Sequence, residues 1–366
     1  MGLRRRARHI RSLYGREPPR EVMFAITNGC NVSCRTCGFG SVPPGERRFA
    51  RLEELGPVLD HLASNGVRMV SVTGGEPLLH PRFLDICREV DGRGMMISYI
   101  ATNGILLDDA IASALGSLDV NIVGVSVDAV DAHGRGVTRG LDVASTARRA
   151  KDVLDRHGIA SYAGVLLGPH TRDVRGLMAL MRSWGFDRVI FSYPQVAMGS
   201  SYRAAEDCEF TRISEEVAAA LVLAIEAEKR RNLGISVFNT TENLEEFLAA
   251  VAGRRTAFGC PAGTNQFYMD WDYGLYRCFN DGTRLGDMVD LARRGVPLRF
   301  EPGACAGCTQ QAFLDYASFY HAFGVVREGV DSIRRLDIAH ALGLLSDRRN
   351  RRAVGSLLEA YLGGFV

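Results

Sequence analysis

The chain is expected to be an α/β protein built on a parallel sheet. Two patterns point there. From residue 21 to about 195, short β-rich runs alternate with amphipathic stretches, and the runs Met69-Val-Ser-Val72 and Val123-Gly-Val-Ser-Val127 are apolar on both faces. Alternation of this kind makes βα units, and strands apolar on both sides require helices over both faces of the sheet. The six strands are expected at Glu21–Thr27, Val67–Thr73, Met95–Ala101, Asn121–Val127, Ser161–Leu167 and Arg188–Tyr193. Helices are expected near 51–64, 81–92, 108–117, 142–157 and 172–184. In such sheets the chemistry gathers at the C-terminal strand ends.

Beyond the sheet, Val217, Leu221, Ala224 and Ile225 recur at helical spacing within 212–232. Gln266–Asp270 and Gly274–Cys278 flank the turn Trp271-Asp272-Tyr273 and predict a β-hairpin. The tail from about 327 to 362 is helical in pattern. The expected organisation is a basic segment 1–20, a barrel 21–204, a helical connection 205–254, a small α+β unit 255–325 and a helical tail 326–366.

The 366 residues contain 46% hydrophobic and 23% charged side chains, enough to bury a large core and too ordered in composition for wholesale disorder. A formal net charge of +2 is too balanced to argue for nucleic-acid binding. No run of about 18 apolar residues occurs, so no transmembrane segment is expected. The arginines at 4, 5, 6, 8, 11, 16 and 20 make the N-terminus a candidate for weak membrane-surface contact; it has no apolar core of a secretory signal. A cytoplasmic location is expected, where nine cysteines remain thiols and clustered ones read first as metal ligands.

Cys30, Cys34 and Cys37 lie within eight residues directly after the first strand. Zinc wants four ligands, which His61 or His80 could complete, whereas a four-iron cluster on three cysteines leaves one iron open to a small molecule. Thr73-Gly74-Gly75-Glu76-Pro77 ends the second strand, Thr102-Asn103-Gly104 the third, and Ser126-Val127-Asp128 the fourth. Glycines expose backbone at a strand end, and a Glu carboxylate accepts hydrogen bonds from an ammonium.

Over residues 21–195 this series resembles the radical S-adenosylmethionine (SAM) superfamily, whose signature is Cys-x3-Cys-x2-Cys after the first strand. The resemblance implies a partial (β/α)6 TIM-like barrel with an open lateral side. It further implies a [4Fe-4S] cluster with an open iron on Cys30, Cys34 and Cys37, and SAM contacts from Thr73, Gly74, Gly75, Glu76, Thr102, Asn103, Ser126 and Asp128. The aromatic ring that usually precedes the third cysteine is replaced by Thr36, and Phe39 is the candidate substitute against the adenine. His133-Gly-Arg135-Gly is a further, imperfect echo.

Cys260, Cys278, Cys305 and Cys308 form a second group, able to close a zinc site or a four-iron cluster. Cys260-Pro-Ala-Gly and Gly274 ahead of Cys278 resemble the SPASM/twitch extension, which implies a second, auxiliary [4Fe-4S] cluster in a small C-terminal α+β domain. Cys87 is expected in the core. Cys208 is a candidate hydrogen-atom donor, and Tyr193 and Arg203 are candidate substrate contacts at a strand end.

The expected function is therefore that of a radical SAM oxidoreductase or isomerase. It would take hydrogen from a small polar metabolite of sugar, aminocyclitol or nucleoside type, with electrons from flavodoxin or ferredoxin. A peptide maturase is the second reading, and a non-catalytic iron–sulfur or zinc protein the third.

Overall fold

The computed structural model describes residues 20–127, 138–139, 142–195, 198–203, 208–231, 234–301 and 308–362. Asp128, His133, Arg135, Cys305 and nearly all of the basic N-terminal segment therefore lie outside the described residues. The six expected strands form, all within two residues of their predicted ends, as β1 (Arg20–Ala25), β2 (Val67–Thr73), β3 (Met96–Thr102), β4 (Val123–Ser126), β5 (Ser161–Leu166) and β6 (Arg188–Ser192). The helices between them are α1 (Leu52–Ser64), α2 (Phe83–Gly92), α3 (Asp109–Gly116), α4 (Val143–Arg156) and α5 (Val174–Ser183). Asp108, Asp142 and Asp173 begin the last three by accepting N–H groups of the first turn at 2.8–3.1 Å, which places the helix starts where short acidic side chains stand.

β1 to β6 pair in sequence order, all parallel. Side chains alternate across each strand. Val22, Phe24 and Ile26 face the helices in the larger core, whereas Met23 and Ala25 join Phe39, Tyr268, Trp271 and Phe279 in a second core inside the barrel. The architecture is an α/β partial TIM-like barrel with added C-terminal elements.

Those added elements depart from the expected boundaries. After α6 (Glu215–Arg231), β7 (Ser236–Val237) pairs parallel with β6, so the stretch expected to be a helical connection carries a further barrel strand. The hairpin forms as β8 (Gln266–Met269) and β9 (Gly274–Tyr276), followed by β10 (Arg284–Asp287). Its turn is closed by the Asp270 carboxylate, which accepts from Asp272 N at 3.0 Å and Gly274 N at 2.7 Å. β8 pairs parallel with β1, so the hairpin widens the barrel sheet beside its first strand.

Five helices complete the described residues: α7 (Thr241–Val251), α8 (Met288–Arg294), the long α9 (Gln311–Arg334), and the pair α10 (Ile338–Leu344) and α11 (Arg348–Leu362). α9 runs without interruption across the expected division at 325/326. No helix among the described residues is long and apolar enough to cross a membrane.

Candidate active site

The loop after β1 carries Cys30, Cys34 and Cys37 and is held from several directions. Gly75 N donates to Thr27 O at 2.9 Å and Glu76 N to Gly29 O at 2.8 Å, which ties the Gly-Gly-Glu segment to the loop's first turn. A Cβ on Gly75 would stand 2.1 Å from Gly29 O, and Gly74 has φ 134°, so both positions need glycine. Arg47 donates to Cys30 O at 2.8 Å, Cys34 pairs with Thr138, and Gly38 N donates to Arg203 O at 3.2 Å. Among the described residues no three His, Cys, Asp or Glu side chains already converge as a ligand set. The fit to a three-cysteine cluster therefore rests on the loop: one short, braced segment with three soft donors, pressed closely against backbone. The two histidines named for a zinc site are engaged with backbone instead. His61 Nε2 lies 2.9 Å from Val296 O, and His80 uses Nε2 toward Ala50 O and Nδ1 toward Arg82 N.

Glu76 organises the neighbouring strand ends. Its buried carboxylate accepts from Thr102 Oγ1 at 2.8 Å, Asn103 N at 2.7 Å and Leu78 N at 3.0 Å. Asn103 Nδ2 then donates to Asn31 Oδ1 at 2.7 Å, inside the cysteine loop. Thus β2, β3 and the loop are locked together through one acid. Burial outweighs these donors and pushes the Glu76 carboxyl up to about 7. The raised value means stability that is fully present below pH 4.5 and is lost as pH rises through 7. The loss at this one site is about 3 kcal/mol. Urea unfolding at pH 5 and pH 8 should show a smaller drop in Glu76→Gln than in the unsubstituted protein.

The strand ends open on a cavity of about 430 Å³. Thr36, Cys37, Thr73, Ser126, Tyr193 and Arg203 line it, so five strand-end or loop positions singled out from sequence converge there with Thr36. Tyr193 is buried, stacked on Phe247 at 4.3 Å, and its hydroxyl lies 3.1 Å from Asp315 Oδ1. Arg203 is exposed at the rim. Two expectations change. Phe39 is 1% exposed and packs edge-on to Tyr202 and Trp271, so its ring supports the loop from below and is closed to an adenine. Cys208 is buried and absent from the cavity wall; its carbonyl accepts from Thr211 and Arg212, which makes it part of a turn. Cys87 is a fully buried core thiol, as expected.

Residues 24–181 match the family model described as the Radical SAM superfamily. These residues are a radical SAM domain. The chain is 25% identical to a GTP 3′,8-cyclase of Pelotomaculum thermopropionicum over 76% of its own length and 86% of that protein. It is similar in fold to Streptococcus suis SuiB bound to precursor peptide SuiA, at 14% identity and TM-score 0.56, covering 78% of this chain and 68% of that one. A second fold neighbour is anSMEcpe with bound AdoMet and Cp18Cys peptide, at 18% identity and TM-score 0.58, covering 76% and 80%. The cofactors of a radical SAM domain are a [4Fe-4S] cluster and SAM, and the braced three-cysteine loop suits the first.

Cys278 of the second cysteine group shares an interior core with the radical SAM loop. Cys30 and Cys37 pack against the cluster that contains Cys278 and Phe279, with Tyr202 between, 4.9 Å from Phe39 and 4.5 Å from Phe279. Asp281 N points at Cys278 Sγ at 3.2 Å, while Gln310 N and Asn280 Nδ2 point at Cys308 Sγ at 3.4 and 3.6 Å. Cys260 is exposed on the approach to β8.

Sequence reasoning missed the residues that close the cavity. Gln311, Asp315, Tyr316, Phe319, Tyr320 and Phe323 of α9 line it. Their spacing of three and four was present as a signal, but an aromatic helical stripe reads equally as ordinary core.

Proposed function

We propose that this chain is a radical SAM oxidoreductase or isomerase acting on a small polar metabolite of sugar, aminocyclitol or nucleoside type, held in the cavity between the cysteine loop and α9. The observation that carries the reading is the cavity itself. Its volume of about 430 Å³ lies in the range of small-molecule sites, and it is walled by Cys37 at one side and by α9 at the other.

When bound, the open-site cluster supplies the electron that cleaves SAM to methionine and a 5′-deoxyadenosyl radical. The chain's own residues do the rest. Cys30, Cys34 and Cys37 would hold the cluster on the braced loop. The Glu76 carboxylate, with three donors and, among the described residues, no cation paired with it, is suited to the SAM ammonium, assisted by Thr73, Gly74, Gly75, Thr102 and Asn103. Ser126, with Asp128 beyond it, would serve the ribose or carboxylate end. Tyr193 and Arg203 would position substrate, and the aromatic wall of α9 would exclude water from the radical.

Cys260, Cys278, Cys305 and Cys308 would hold an auxiliary [4Fe-4S] cluster. The donors aimed at Cys278 and Cys308 support this, since N–H groups near thiolate sulfur stabilise the reduced cluster. Held by these cysteines, such a cluster would supply an electron acceptor of the kind net dehydrogenation needs. The electron source would be a cytoplasmic flavodoxin or ferredoxin.

Anaerobic reconstitution tests the reading. About eight irons per chain are expected. With a strong reductant, 5′-deoxyadenosine should form, and deuterium from a labelled amino sugar or nucleoside should appear in it. Zinc in both sites overturns the catalytic reading. Turnover of a peptide alone, the substrate class seen bound to SuiB and anSMEcpe, would replace the small-molecule reading and leave the radical chemistry intact.

A further inference from the structure

α9 presents one acid to the cavity. Asp315 is 8% exposed and accepts from the Tyr193 hydroxyl at 3.1 Å. That hydroxyl has a single proton and also lies 3.2 Å from the Asn243 carbonyl, so it neutralises little of the carboxylate's charge. Gln311, one turn earlier on α9, is the other side chain bonded to Asp315. Among the described residues no basic side chain is paired with it. Tyr193 stands beside it, and Tyr162, Tyr316, Phe319 and Tyr320 line the same cavity. A second buried acid, Glu21 of β1, lies at the barrel floor, held by Ser98 and Gln266. Among the described cavity-lining residues, Arg203 at the rim is the one basic side chain.

A buried carboxylate without a cation is costly, and a polarised aromatic wall is poor solvent for an anion. Both features favour a cation: the carboxylate by charge, and the rings by their quadrupoles. We propose that the substrate carries a protonated amino group, with Asp315 as its counter-ion, Tyr193 beside that acid and the other aromatic side chains of the cavity walling the rest of the substrate. The proposal rests on the reading of this cavity as the substrate site, and it selects amine-bearing metabolites over neutral sugars, carboxylates and phosphates.

A matched pair of probes tests it on the cluster-loaded protein with SAM present. Cyclohexylamine and cyclohexanol share shape and differ in charge. At pH 8 the amine should bind at least tenfold more tightly by calorimetry. Asp315→Asn should bring the two probes to equal affinity while leaving cyclohexanol and SAM binding unchanged. Tyr193→Phe, which keeps the carboxylate, should retain the preference.

The pH profile is a second measurement that needs no variant. Burial pushes the Asp315 carboxyl up to about 7, so the amine's advantage should shrink as pH falls from 8 to 6. The groups bonded to Asp315 are Tyr193 and Gln311, with Glu246 of α7 acting on Tyr193; the buried tyrosines stay neutral over this range. Equal affinities in the unsubstituted protein, including no measurable binding of either probe, overturn the proposal. So does an amine preference that survives Asp315→Asn. Probe binding does not require SAM cleavage, so a failure here is separable from a failure to form 5′-deoxyadenosine.

Discussion

Cys34→Ala should lower 5′-deoxyadenosine formation by at least about a thousandfold, the scale expected when the group that starts the chemistry is lost. Three thiolates on one loop are the whole protein ligand set proposed for the open-site cluster, and two cannot hold a cube against oxidation and exchange. Cys34 is the informative choice. It sits on the two-residue bridge to Thr138, partly exposed, with no large core to disturb. The variant should keep its far-ultraviolet circular dichroism and retain only the iron assigned to Cys260, Cys278, Cys305 and Cys308. Full activity in Cys34→Ala, with all its iron, would remove the basis of the assignment.

The second large effect is steric. Gly75→Ala places a methyl group 2.1 Å from Gly29 O, 2.5 Å from Gly29 C and 3.1 Å from Cys30 N. All three are backbone atoms, so no rotamer change relieves the clash, and the strand end or the cysteine loop must move. Overpacking of this severity costs about 3 kcal/mol or more. The displaced loop should also load less of its cluster, read as iron per chain and as a lower urea midpoint. Gly45→Ala is the matched control. Its Cβ would meet nothing within 4 Å, and stability should change by less than about 0.5 kcal/mol. A Gly75→Ala protein as stable and iron-rich as Gly45→Ala would show that the close approach is not required.

The barrel was legible because its strands are apolar on both sides and alternate with amphipathic stretches, both properties of adjacent residues. The cysteine loop and Gly-Gly-Glu were legible for the same reason: each motif is contiguous. Phe39 misled because an aromatic side chain near a cofactor loop has the same local signature whether it faces the ligand or the core. Its burial against Trp271 depends on a hairpin more than 200 residues later. Likewise Ile333, Leu336, Leu342 and Leu345 mark helices by spacing, yet they remain 47–86% exposed.

Local chemistry along the chain was thus sufficient to identify the strands, the three-thiol loop and the glycines that let backbone approach backbone. Folding supplied what no neighbouring residues encode: β8 laid beside β1, α9 laid across the open flank of the barrel, and Asp315 turned into the cavity. The difference is physical. Secondary structure and short motifs follow from periodicity and stereochemistry within a few residues, whereas a cavity wall is set by which distant apolar faces bury one another.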